Sequence, residues 1–98
     1  MSVIEIIQFT THPGTTTEAL QRALEMLDRE LEHIGGFQTR TLYQEAGTEN
    51  GWLLDYRWAT LTEAQESMSK VVTTDAFTQL MALVPEPQSM GISYGTAV

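Results

Sequence analysis

Two short segments of this chain carry apolar side chains on both faces of an extended backbone, and no other feature limits the fold so strongly. In residues 3–11 the neighbouring Ile6 and Ile7 point to opposite faces, and residues 52–59 are apolar at most positions. A strand that is apolar on both faces needs cover on both sides, as strands in the middle of a sheet do. The two segments are therefore predicted to be the central strands of one sheet.

Two apolar stripes with helical spacing separate the predicted strands. The first helix is predicted to begin at the Thr15–Glu18 pair, whose spacing is that of a capping box, and to end at Gly35-Gly36. The second begins at the Thr60–Glu63 pair, which has the same spacing, and a further N-cap signal at residues 73–75 breaks it. Each helix then has one apolar face for packing and one polar face for solvent.

Two more segments, residues 37–44 and 90–96, alternate between apolar and polar positions, as half-exposed strands do. In the first of them, strict alternation places Phe37 and Tyr43 on one side and Arg40 on the other. The order β-α-β-β-α-β predicts an α+β, ferredoxin-like fold. Both helices of this fold cover one face of a four-stranded antiparallel sheet.

The face of the predicted sheet that carries no helix is expected to be apolar. Ile4, Ile6 and Leu53 point to this face if their neighbours pack against the helices. An exposed apolar sheet surface needs a partner, and a homodimer formed through the helix-free sheet face provides one. Polar residues of the same face are expected to fix the register of the two subunits: Gln8, Asp55 and Arg57, with Arg40 as a further candidate.

Composition argues against several classes of function. The 13 acidic and 5 basic residues give a formal net charge of -8, which repels a phosphate backbone, so no nucleic-acid partner is expected. Cysteine is absent, which excludes disulfides, thiolate nucleophiles and thiolate metal sites. No apolar run approaches the ~20 residues of a membrane span, and no secretory signal pattern is present. We therefore expect one cytoplasmic domain over residues 1–98, with no membrane partner.

The two histidines do not indicate a metal site. His12 lies in a predicted turn and His33 near a predicted helix end, where a protonated imidazole favours the helix dipole. No spacing of carboxylates and histidines matches a known ligand pattern, so no metal is expected.

Three stretches of the chain together resemble a known family. They are residues 4–9 with the Pro13-Gly14 turn, residues 36–43, and residues 55–64. In these stretches the chain is similar to the dimeric αβ-barrel superfamily, and within it to the antibiotic biosynthesis monooxygenase-like domains. The resemblance implies a dimeric αβ-barrel. It also implies, as activities known in the family, cofactor-independent oxygenation of polycyclic phenols or degradation of haem.

Three family positions refine what the resemblance implies. Trp58 lies where these enzymes place a pocket tryptophan at the end of the third strand. Their pocket asparagine falls on Ile7, and their haem-ligating histidine falls near Met81. Since these two residues supply neither an amide nor an imidazole, the resemblance does not extend to haem degradation, and no cofactor is expected.

The helix-facing side of the predicted sheet suggests a ligand pocket. Its walls are expected to be aromatic or apolar: Phe9, Phe37, Tyr56, Trp58 and Met81. Glu5 shares this face, and burial of its carboxylate would make it a base for a phenolic proton. Structural alternatives stay open, because the aromatic residues also suit an ordinary core and Glu5 also suits an ion pair.

The sequence therefore favours a homodimeric αβ-barrel protein that binds a small apolar or aromatic ligand. If the protein is an enzyme, we expect a cofactor-independent monooxygenase in which Glu5 removes a phenolic proton and the anion reacts with O2. The alternative is a non-catalytic dimerisation or ligand-binding module. A cavity beside Trp58 would favour ligand binding or catalysis, and a filled core would favour the non-catalytic alternative.

Overall fold

The computed structural model describes residues 3–98. In this range the chain forms four strands and three α-helices, with one 3₁₀ turn before the last strand. The elements are β1 (Val3–Thr10), α1 (Thr17–Ile34), β2 (Phe37–Gln44), β3 (Gly51–Trp58), α2 (Leu61–Val71), α3 (Asp75–Met81), the 3₁₀ turn (Pro87–Ser89) and β4 (Gly91–Thr96). The helices α2 and α3 are the two parts of the second predicted helix, which is broken where the sequence indicated.

The four strands form one antiparallel sheet in the order β2-β3-β1-β4. The strands β1 and β3 are therefore central, as their apolar character on both faces predicted. Together with the helices between the strands, this order confirms the α+β, ferredoxin-like fold with a four-stranded antiparallel sheet.

Burial alternates along the two central strands and identifies the helix-covered face. On β1 the odd-numbered residues are buried, whereas Ile4 and Ile6 are half-buried. On β3 the even-numbered residues are buried, and Leu53 is half-buried. The helix-free face thus keeps three partly exposed aliphatic side chains at the predicted positions.

The strand β2 departs from strict alternation at one point. A bulge lies between Phe37 and Thr39, so that Phe37 pairs with Trp58 and faces the helices. Arg40 faces the helices as well, and Tyr43 lies on the other side of the sheet. The prediction that Phe37 and Tyr43 share a face was wrong, because a period of two holds only where the ladder is regular.

The start of α1 also differs from the prediction by one residue. The hydroxyl of Thr16 accepts a hydrogen bond from the Ala19 N–H at 3.1 Å, so Thr16 is the N-cap. The hydroxyl of Thr15 instead donates to the carbonyl of His12. The run of consecutive threonines offers several hydroxyls that could cap the helix. The prediction chose among them only by the capping-box spacing to Glu18, and this choice was wrong by one residue.

The two caps in the second half of the chain follow the prediction. Thr60 accepts from the N–H of Glu63, and Thr74 accepts from the N–H of Phe77. Gly36 has a φ of 82°, and an added Cβ would lie 2.7 Å from the Glu63 side chain. The end of α1 therefore packs closely against the start of α2, which fixes α2 over the end of β3.

Candidate functional site

A small cavity lies between the helix-covered face of the sheet and the helices, and its free volume is about 50 Å³. Buried residues form an inner wall that includes Glu5, Ile7, Leu54, Tyr56, Trp58 and Ser67. Less buried side chains form an outer wall: Met68, Phe77, Met81, Met90 and Ile92. These outer residues belong to α2, α3, β4 and the segment just before β4, so solvent approaches the cavity from that side.

Among the described residues that line the cavity, Glu5 alone carries an acidic group. Glu5 is only 3% exposed, and its Oε1 accepts a hydrogen bond from the indole N–H of Trp58 at 2.9 Å. Tyr94 lies directly opposite Glu5 in the β1–β4 ladder, and its hydroxyl also interacts with the carboxylate. Burial raises the pKa of Glu5 above its ordinary value of 4.5, and the two hydrogen-bonding neighbours oppose this rise. A carboxylate with a raised pKa is a stronger base than an exposed one.

Trp58 is held by an aromatic cluster at the end of β3. Its ring centroid lies 5.9 Å from that of Phe37 and 6.2 Å from that of Tyr56, and Phe37 meets both rings edge to face. Trp58 itself is 1% exposed. The indole that donates to Glu5 is thus fixed by packing on one side and forms the cavity wall on the other.

The cavity brings together three of the five predicted pocket residues, namely Tyr56, Trp58 and Met81. Phe37 packs behind the wall against Tyr56 and Trp58 without lining the cavity. Phe9 is buried on the correct face but pairs with residue 52, far along β1 from Glu5, and does not line the cavity. Position on a face can be read from alternation, whereas position along the strand depends on where the helices cross it.

A second polar cluster joins α1 to β2. The guanidinium of Arg40 donates to Oδ2 of Asp28 from Nε at 3.1 Å and from Nη2 at 2.8 Å, and Nη1 donates to Gln21 at 2.9 Å. The prediction that Arg40 points to the helix-free face was wrong. Arg40 pairs with Tyr56 across the β2–β3 ladder and therefore shares the helix-covered face.

The hydroxyl of Tyr56 is buried near this cluster. Neither this hydroxyl nor Oδ1 of Asp28 has a hydrogen-bond partner within residues 3–98. Burial, together with the negative charge of Asp28, raises the pKa of Tyr56. Tyr56 therefore stays neutral at physiological pH and keeps an unused donor near the Asp28–Arg40 cluster.

Several residues of the site were not identified from the sequence, among them Tyr94, Met68 and Met90. The signal for Tyr94 was available, because in this fold β4 pairs antiparallel with β1 and brings one of its alternating residues next to Glu5. Burial and the neighbouring Glu5 raise the pKa of Tyr94 to about 12. The two methionines could not be distinguished from ordinary core residues by their helical or strand spacing.

The helix-free face carries the other polar residues that were predicted for it. The guanidinium of Arg57 donates from Nε to Oδ1 of Asp55 at 3.0 Å, and the amide of Gln8 donates to Glu45. Tyr43 on the same face is 51% exposed. The face therefore combines aliphatic, aromatic and charged groups, which is a composition found in protein interfaces.

The described part of the chain places no three potential metal ligands together. His12 and His33 are both exposed and do not line the cavity. Over residues 3–98, no helix combines the length and the hydropathy that crossing a bilayer requires. A cytoplasmic location and the lack of a nucleic-acid partner stay predictions.

No family model and no curated protein matches this sequence. Solved structures do match the fold. The cofactor-independent oxygenase SnoaB from Streptomyces nogalater superposes with a TM-score of 0.76 at 18% identity, over 99% of this chain and 93% of that chain. A candidate antibiotic biosynthesis monooxygenase from Bordetella bronchiseptica superposes with a TM-score of 0.70 at 15% identity, over 99% and 97% of the two chains.

A further candidate monooxygenase of this kind, from Nitrosomonas europaea, superposes with a TM-score of 0.68 at 15% identity, over 99% of this chain and 90% of that chain. Identities of this size establish the fold and carry no activity with them, because one fold supports many functions. The chain therefore has the same ferredoxin-like fold as these solved structures.

Proposed function

We propose that this protein binds a small aromatic molecule in the cavity and oxygenates it without a cofactor, with Glu5 as the catalytic base. One observation carries the proposal: a buried carboxylate, fixed by the Trp58 indole, faces an apolar cavity. An apolar wall suits an aromatic ring, and the carboxylate suits the hydroxyl of a phenol. The structural similarity to a cofactor-independent oxygenase supports the same class of reaction.

The proposed reaction converts an electron-rich phenol and O2 to a quinone and water. Glu5 takes the phenolic proton, and the phenolate forms a C–O bond with O2 at a ring carbon. The O–O bond then breaks, and the hydrogen of that carbon leaves with the distal oxygen as hydroxide, so that a second carbonyl remains. The hydroxide recovers the proton from Glu5 and becomes water. The apolar wall helps because it excludes water from the charged intermediate.

Oxygen uptake by two matched variants tests this role of Glu5. Glu5→Gln keeps the shape of the side chain and an acceptor for Trp58 but removes the base, so we expect uptake with an electron-rich phenol to fall at least ~100-fold. Glu86→Gln makes the same chemical change at an exposed carboxylate and should leave the rate unchanged. Equal rates for the wild type and Glu5→Gln would remove Glu5 from the mechanism.

We also propose that two chains pair through the helix-free sheet face to form the dimeric barrel. Half-buried Ile4, Ile6 and Leu53 lie together at the centre of this face and supply the apolar contact. Leu53→Asp should convert the dimer to a monomer in sedimentation equilibrium. Val72→Asp, at a 43% exposed apolar residue beyond the end of α2, should leave the dimer intact. A wild-type chain that is monomeric at micromolar concentration would refute this pairing.

The small free volume favours one alternative, a non-catalytic module that dimerises or holds a ligand. About 50 Å³ is less room than an aromatic ring occupies, so the cavity must widen before any phenol binds. Oxygen uptake at the background rate, with ligand binding and the dimer both retained, would select this alternative over catalysis.

A further inference from the structure

The free volume of the cavity limits the size of its ligand. A cavity of about 150 Å³ holds one benzene ring, whereas this cavity has about 50 Å³. The inner wall cannot move to provide the missing volume. Leu54, Tyr56 and Trp58 are at most 2% exposed and lie on a central strand that is paired on both sides. The outer wall must therefore move when a ring binds.

Three methionines make the outer wall deformable. Met68 lies on α2, Met81 ends α3, and Met90 lies between the 3₁₀ turn and β4, and all three are half-buried. A methionine side chain is unbranched and has three rotatable bonds, so it changes shape at low cost. Because these side chains already touch solvent, they can swing outward without leaving an empty space in the closed core.

The other two members of the outer wall are less adaptable. Phe77 is a rigid ring on α3, and Ile92 is β-branched and belongs to β4. A β-branched side chain has few allowed rotamers in a strand. A ligand that needs more room than the methionines can release would have to displace these two residues or the backbone that holds them.

We infer that the cavity accepts ligands with a single aromatic ring, and that Met68, Met81 and Met90 set this limit by swinging aside. This inference rests on the proposed function for the phenol class, and it narrows that class to monocyclic phenols. It differs from the polycyclic substrates that the family resemblance implied. The methionines act as specificity-determining residues, while Glu5 and Trp58 lie deeper in the cavity.

Isothermal titration calorimetry with a methoxyphenol and the corresponding methoxynaphthol tests the size limit. The wild type should bind the one-ring compound at least ~10-fold more tightly than the two-ring compound. Met81→Ala and Met90→Ala should each raise the affinity for the two-ring compound by ~10-fold, since each shortens the outer wall. Met26→Ala makes the same change on α1 at a side chain outside the cavity, and should alter neither affinity.

Equal affinities of the wild type for one and two rings would overturn the inference, even if both compounds are consumed with O2 and the proposed function holds. Unchanged selectivity in both cavity variants would remove the methionines from this role. Conversely, selective binding of one ring without oxygen uptake would support the inference and reject the oxygenase proposal. Absence of binding for both compounds in every variant would refute both.

Discussion

The hydrogen bond from Trp58 to Glu5 should couple the two residues strongly, and a double-mutant cycle can measure the coupling. Both partners are buried, with exposures of 1% and 3%, so water cannot replace the bond when either partner is removed. A hydrogen bond to a charged group contributes about 1.5–3 kcal/mol. We therefore expect a coupling free energy of about 2 kcal/mol at neutral pH between Trp58→Phe and Glu5→Leu, a variant that removes the acceptor.

The cycle is needed because Trp58→Phe also reduces packing. That loss occurs with and without the Glu5 carboxylate, so it cancels when the two backgrounds are compared. In thermal unfolding, 2 kcal/mol corresponds to a difference of about 10 °C in Tm for a domain of this size. All four proteins should be measured at one protein concentration, because dimerisation makes the apparent stability depend on concentration.

The coupling should also depend on pH in a defined direction. The hydrogen bond from Trp58 lowers the pKa of Glu5, which means that the bond is stronger with the ionised carboxylate than with the protonated one. The coupling should therefore be largest above the pKa of folded Glu5 and should decrease as the carboxylate is protonated. A coupling below about 0.5 kcal/mol at neutral pH, or one that stays constant down to low pH, would refute the electrostatic account of this pair.

Three further predictions concern the stability of the folded chain. Folded Glu5 binds its proton more tightly than Glu5 in the unfolded chain, so the wild type should lose stability relative to Glu5→Gln as the pH rises from below 4.5 through the raised pKa. Urea unfolding at several pH values will measure this difference in unfolding free energy. Tyr56→Phe removes a buried hydroxyl that has no partner within residues 3–98, so the free energy of unfolding should change by less than about 1 kcal/mol. A larger loss of stability would reveal a partner for this hydroxyl. Arg40→Ala leaves the largely buried Asp28 without its cation, so circular dichroism melts should show a loss of about 3 kcal/mol, and an unchanged melt would contradict the structural role of this pair.

Much of the fold could be predicted because the relevant signals are local. Apolar side chains on both faces marked the central strands, and the threonine caps before α2 and α3 marked the start of each helix. The bulge at Phe37 could not be predicted, since it depends on how β2 meets β3 and leaves no pattern in β2 alone. The same dependence explains why Arg40 was assigned to the wrong face.

The candidate site could be predicted only in part. Glu5 and Trp58 were placed on the helix-covered face by alternation, and the fold then brought them within hydrogen-bond distance. Phe9 obeys the same alternation but lies too far along β1, because alternation carries no information about where the helices leave a gap. The methionines of the outer wall come from three separate segments, and their convergence depends on how those segments pack.

The central claim is that the cavity between sheet and helices is the ligand site, and methyl-labelled methionine provides the most direct test. The chain has 5 methionines, of which Met68, Met81 and Met90 line the cavity and Met26 lies on α1. With a bound monocyclic phenol, nuclear Overhauser contacts should connect the ligand ring protons to the methyl groups of the three cavity methionines and to the Trp58 indole. Contacts to the Met26 methyl alone, or to no methionine methyl at all, would contradict the account.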